Sequence, residues 1–242
     1  MWRARRVATL PVVAALIAAG CSADREAQTV TVFAASSLTD VFEQFAVDYE
    51  TAHPDVDVRL SFGGSSSIVA QVAEGAPADV LATADRRTMD RVPATMLAGK
   101  PTVFATNEMV IAVEAGNPLG VGSIDDLVRV PVIVLADEQV PAGAYARDVI
   151  ACEGVDVTVR SYEQNVRAAA AKVALGEADA AIVYRTDVTD GLDAIEIDPT
   201  CNVRAEYPIV QVGPGRDAAS FVDFVTSDDA ATVLEAAGFD AP

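Results

Sequence analysis

The 242-residue chain holds a single histidine and three cysteines. That leaves almost nothing from which to build a zinc enzyme with several His ligands or a Ser-His-Asp hydrolase. Basic residues are also scarce: 17 Lys+Arg stand against 36 Asp+Glu, a formal charge of -19. So acidic a chain is unsuited to a polyanion such as DNA, RNA or an acidic membrane surface. The G-x-x-x-x-G-K-[ST] phosphate loop is missing, as is G-x-G-x-x-G after the first strand. No internal repeat or long linker is visible, and no spacing pairs two carboxylates for acid/base work. What remains is a globular composition, 51% hydrophobic and 22% charged, which excludes wholesale disorder. The length suits one or two domains with a sizeable core.

The first twenty residues read as a secretory signal. Arg3, Arg5 and Arg6 precede an apolar run from Val7 to Ala19, and Ala18, Ala19 and Gly20 lead to Cys21. Thirteen residues at ~1.5 Å each cover ~20 Å, short of a ~30 Å hydrocarbon core. A signal ending on Cys resembles that of a bacterial lipoprotein, which implies lipidation of Cys21 as the new N-terminus. Ala18 stands where such signals usually carry Leu; the alternative is a plain secreted protein. Residues 21–28 then read as a polar tether. Removing three Arg leaves 14 basic and 36 acidic residues, a formal charge of -22. Cys152 and Cys201 remain; outside the cytoplasm an even pair suggests a disulfide, two buried thiols being the alternative.

Beyond the tether, strand and helix patterns alternate. TVTVFA (29–34) reads as a buried strand, and Leu38, Val41, Phe42, Phe45, Ala46 and Tyr49 recur at helical spacing. Further strands are expected over 55–62, 79–83, 108–114, 130–136, 157–162, 180–185 and 207–212. Helices are expected from Ile68 to a stop at Gly75 and Pro77, and over 85–92, 142–152, 164–176, 217–227 and 228–237. Ser123 and Asp126 are spaced as a capping box for a short helix over 123–128. The alternation implies an α/β fold with mostly parallel sheets flanked by helices. Strands near Glu108 and Tyr207 are candidate crossovers, giving one lobe from 29–107 plus 213–242 and a second from 108–212.

Four polar stretches fall after predicted strands, at predicted helix starts: residues 34–40 (AASSLTD), 62–68 (FGGSSSI), 140–145 (VPAGAY) and 163–167 (EQNVR). In open α/β sheets ligands sit beyond the carboxyl ends of the strands. A helix start there offers free N–H donors and the positive end of a dipole, an anion site without a basic side chain. Taken singly, Ser and Asn at helix starts are ordinary caps stabilising by about 1 kcal/mol. Gly63-Gly64 before three Ser is less routine, because glycine allows close approach to the backbone. His53, before Pro54, reads as exposed and structural. Asp40, Asp79 and Asp85 read as surface or capping carboxylates. Arg167 fits a solvated helix residue as well as a charge behind the site.

The stretches VFAASSLTDVF, SFGGSSSIVAQVAEGAPADVLATAD, VPAGAYA, NVRAA and GEADAAIVYRTD, in this order, resemble the molybdate-binding proteins of ABC uptake transporters. The resemblance covers nearly all of the chain after the signal. It implies a two-lobed, hinge-bending fold of the periplasmic-binding-protein kind that holds molybdate or tungstate in the cleft. It also implies anion contacts from the Ser37 and Ser65 hydroxyls, the Ser65, Ala142 and Val166 backbone N–H groups and the Tyr184 hydroxyl. Gly63-Gly64 stands where members often carry Ala or Ser, which could loosen that loop without removing a donor. The expected protein is a monomer without catalysis or cofactor, binding metal only as its oxyanion. Its partners are a permease and an ATPase, and its contact with the membrane is the lipid anchor alone. Sulfate, with the same charge and hydrogen-bonding pattern, is the alternative ligand.

Overall fold

The computed structural model describes residues 28–242. The signal, Cys21 and the tether up to residue 27 lie outside the described residues, and Gln28, expected to end the tether, opens the first strand.

Strand β1 (Gln28–Ala35) runs into a 3-10 turn at Ser36–Leu38 and helix α1 (Thr39–Ala52). Val41, Phe42, Phe45, Ala46 and Tyr49 form the buried stripe of α1, at the helical spacing read from the sequence. β2 (Val56–Gly63), α2 (Ser65–Ala73), β3 (Val80–Ala82) and the short α3 (Arg86–Met89) follow. A long β4 (Thr102–Glu114) leads to β5 (Ile133–Ala136), α4 (Pro141–Glu153), β6 (Val159–Glu163), α5 (Val166–Ala174), β7 (Ala180–Tyr184) and β8 (Leu192–Glu196). β9 (Arg204–Gln211), α6 (Arg216–Val225) and α7 (Asp228–Ala236) complete the chain. Phe221 and Phe224 of α6 meet Phe42, Phe45 and Tyr49 of α1 with ring centroids 5.2–6.4 Å apart. Each such buried ring contributes about 1.5–3 kcal/mol.

The strands lie in the order β2-β1-β3-β9-β4-β7-β5-β6, with β8 also on β4. β1 is parallel to β2 and β3, and β5 is parallel to β6 and β7. The strands that carry the chain between these two groups run the other way: β4 and β9 are antiparallel to their neighbours, as is β8. The sheet is therefore mixed, with two parallel cores joined by antiparallel crossovers. β4 itself is the bridge. Its residues 102–108 pair with β9, and 109–114 pair with β7 and β8.

Three expectations need correction. The second lobe was expected to run to residue 212, but all of β9 pairs with β3 and the first half of β4, so by pairing the chain returns to the first sheet by Arg204. The apolar pattern of that strand marks it as buried without telling which sheet buries it. The short helix near Ser123 is a 3-10 segment, Ile124–Arg129, whose N-cap side chain makes no capping bond. The Asp126 carboxylate instead accepts the Gly122 N–H at 2.7 Å. Strand β8 and residues 102–107 of β4 were not anticipated: TVFATN interleaves polar with apolar residues, and LDAIE is only five residues long. Cys152, at the end of α4, is bonded to Cys201, with Cα atoms 5.5 Å apart.

Candidate functional site

The C-terminal ends of the parallel strands point at one another across the division between the two strand groups. There a small cavity is lined by Ala35–Ser37, Gly63–Ser65 and Ala84 from the first lobe, and by Val140–Ala142, Asn165, Val166 and Tyr184 from the second. All five residues singled out in the sequence, Ser37, Ser65, Ala142, Val166 and Tyr184, are on this wall. None of its lining residues is Asp, Glu, Lys, Arg or His. The cavity therefore offers dipoles and hydroxyls only.

Each donor is set by local structure. Ser65 opens α2, Ala142 follows the Pro141 that starts α4, and Val166 opens α5. The first N–H groups of a helix have no intrahelical acceptor, so these backbone donors are free for a guest. Asn165 caps α5 by accepting the Ala168 N–H at 2.9 Å, further along the helix, and so leaves the Val166 N–H alone. Pro141 at the first position of α4 is pre-set for a helix start. Gly143 packs where a Cβ would overlap the carbonyl oxygens of Ala136 and Asp137, bringing the start of α4 hard against the end of β5.

The hydroxyls are oriented too. Ser65 Oγ accepts the Ala84 N–H at 3.0 Å, leaving its proton to be donated elsewhere. Ser37 Oγ lies 3.1 Å from the hydroxyl of Tyr207 on β9, and the Tyr207 ring meets the Tyr184 ring edge-on at 5.7 Å. The Tyr184 side chain is 1% exposed, yet its hydroxyl has no hydrogen-bond partner. An orphaned buried donor of this kind costs about 1–3 kcal/mol, which a guest accepting its proton would restore. Burial holds both tyrosines well above the ordinary pKa of 10, so each keeps its proton at any physiological pH.

Gly64 sits where the two lobes approach each other. A Cβ on it would come within 2.8 Å of both the Gln164 carbonyl oxygen and Val140 Cγ1, on the opposite lobe. The residue is small because the two lobes touch there. Ser66 Oγ also donates across this seam, to the Gln139 carbonyl.

Charge is kept behind the wall. Arg167, next to Val166, pairs with Asp187 at 2.9 Å and with Asp40 at 2.7 Å, so it is not a solvated helix residue. Burial pushes the Asp187 carboxyl up to about 7, against the pull of Arg167. Asp85 caps α3 through the Thr88 N–H at 2.9 Å, and Asp79 accepts the Thr31 N–H at 2.8 Å. His53 is exposed at the end of α1 and stacks on Tyr49 at 4.2 Å. Tyr207 and Ala84 are the contributors that the sequence does not assign to the site. Tyr207 is 170 residues from Ser37, and no local pattern announces such a pairing.

A two-lobed cleft lined with neutral donors at helix starts is the arrangement of a solute receptor. The chain belongs to the bacterial extracellular solute-binding proteins, whose family model matches residues 30–240. It is 36% identical over 224 residues to the molybdate-binding protein ModA of Mycobacterium tuberculosis, covering 89% of this chain and 86% of that one. ModA of Haemophilus influenzae is 33% identical over 230 residues, covering 88% and 90%. Among solved structures, the periplasmic molybdate-binding protein of Azotobacter vinelandii superposes with a TM-score of 0.73 at 18% identity, over 88% of this chain and 99% of that one. The sulfate-binding protein SubI of Mycobacterium tuberculosis gives 0.78 at 19% identity, over 88% and 87%. Among the described residues no helix is long and apolar enough to cross a membrane.

Proposed function

We propose that this protein captures molybdate, and tungstate with it, outside the cytoplasmic membrane and delivers the anion to an ABC permease and its ATPase. It acts by binding, without catalysis or cofactor, as a monomer held to the membrane by lipid on Cys21 after loss of residues 1–20. The observation that carries the reading is the partnerless Tyr184 hydroxyl on a cavity wall that holds no Asp, Glu, Lys, Arg or His. Molybdate near neutral pH is a dianion with four acceptor oxygens and no proton to give. A wall of donors suits it and offers a protonated phosphate no carboxylate to accept its proton. The similarity to ModA proteins supports the same ligand.

The donors assigned to the anion are the hydroxyls of Ser37, Ser65 and Tyr184 and the N–H groups of Ser65, Ala142 and Val166. Each donor to a charged group contributes about 1.5–3 kcal/mol. About six exceed the ~8 kcal/mol of a micromolar complex, even after ordering costs. Sulfate needs the same donors, so only the fit of the larger anion separates the two. Thermal melts with molybdate, tungstate, sulfate and phosphate test this, because a ligand of the folded state raises the melting temperature by mass action. The reading expects large shifts with molybdate and tungstate and little with phosphate. No shift with the first two removes it, and a larger shift with sulfate reassigns the ligand.

A further inference from the structure

We propose that Arg167 is a latch that sets how long the lobes stay closed on the anion: seated on Asp187 in its own lobe, it reaches over the cleft to Asp40. The inference rests on the oxyanion-capture reading and adds to it what governs release.

Arg167 Nη2 donates to Asp40 Oδ2 at 2.7 Å, and its Nε lies 2.9 Å from Asp187 Oδ1, an ion pair by distance whose geometry makes no hydrogen bond. Asp40 belongs to the first turn of α1 and Asp187 follows β7, so the guanidinium joins the two lobes. A cation in the first turn of a helix opposes the helix dipole, so the start of α5 gains nothing from Arg167 locally. Its neighbours explain its place. Val166, one residue before it, and Ser37, three before Asp40, both line the cavity. The ion pair thus spans the same two helix starts that the anion bridges. Exposed ion pairs usually contribute little because two flexible side chains must be ordered. Here that cost is reduced on one side only: the Asp187 side chain is 0% exposed and Arg167 26%, whereas the Asp40 side chain is 64% exposed. The planar guanidinium presents its remaining edge to Asp40 already aimed. Arg87 crosses in the opposite direction but loosely, 3.8 Å from Asp148 and 5.6 Å from the centre of the Tyr145 ring, with its side chain 64% exposed. It serves as the internal control.

The experiment loads the whole protein with radiolabelled molybdate and follows its loss during a chase with excess unlabelled anion. Asp40→Asn, which leaves Arg167 on Asp187, is expected to speed dissociation about three- to five-fold, the upper part of the range of exposed ion pairs. Its anion-free melting temperature should fall only slightly, because the Asp40 carboxylate also complements the dipole of α1. Asp40→Lys should speed loss further, and Arg87→Gln should stay within about two-fold of the wild type. A wild-type dissociation rate in Asp40→Asn overturns the latch and leaves the functional reading standing. A wild-type protein that retains no molybdate overturns that reading, and the latch falls with it.

Discussion

Ser65 and Tyr184 illustrate two ways of holding a donor in reserve. Ser65 has a lone pair occupied by the Ala84 N–H, so on the proposed function removing its hydroxyl would take one bond from the anion as well as one from the protein. Ser65→Ala is expected to weaken molybdate binding by about 1–3 kcal/mol, or roughly 5- to 150-fold, in a calorimetric titration. The anion-free protein should lose some stability as well. Tyr184 behaves differently because its hydroxyl is buried without a partner. Tyr184→Phe removes an unsatisfied group while the ring still packs on Tyr207. The expected signature is an anion-free melting temperature equal to or above that of the wild type, together with a smaller molybdate-induced shift. A variant destabilised without the anion would mean that the hydroxyl is satisfied within the protein.

The elements work by bringing helix starts together, and Gly64 is where two of them meet. Gly64→Ala would press a methyl group against the Gln164 carbonyl and Val140 of the other lobe, both rigid neighbours. We expect molybdate affinity to fall at least about ten-fold in the same titration, a cost of 1.4 kcal/mol or more. The anion-free melting temperature should change little, since an open cleft relieves the contact. Unchanged affinity would show that closure does not bring these atoms together. The elements also show what the sequence could convey. The stripe of α1 and the polar starts of α2, α4 and α5 were legible because helix periodicity and capping are encoded within a few residues. Residues 102–107, β8 and the end of the second lobe were not. Their placement depends on which strand lies beside them, and pairing across the chain leaves no short-range pattern. The same holds for the donor wall. Ser37 and Ser65 could be named from the motifs, whereas the Tyr207 and Ala84 groups that orient them lie 170 and 19 residues away.

At the scale of the whole molecule, the cavity and the field disagree. The chain carries a formal charge of -19, which repels a dianion approaching from solvent. Nearby oriented N–H dipoles attract it once it is within the ~8 Å over which physiological salt screens charge. Capture should therefore become faster as salt is added, the reverse of an electrostatically steered encounter. Stopped-flow mixing with molybdate between about 10 and 150 mM salt is expected to show a rising association rate, as the Debye length contracts from ~30 Å to ~8 Å. A rate that falls steeply with salt would reveal a positive entrance that the charge balance does not provide.

The most direct measurement is a crystal structure of the protein grown with molybdate, with the metal located by its anomalous scattering. The account predicts one strong peak inside the wall formed by Ser37, Ser65, Ala142, Val166 and Tyr184, with oxygens at hydrogen-bonding distance from their hydroxyl and N–H groups. A peak elsewhere, or an anion held by Lys or Arg side chains while Tyr184 stays without a partner, would contradict it.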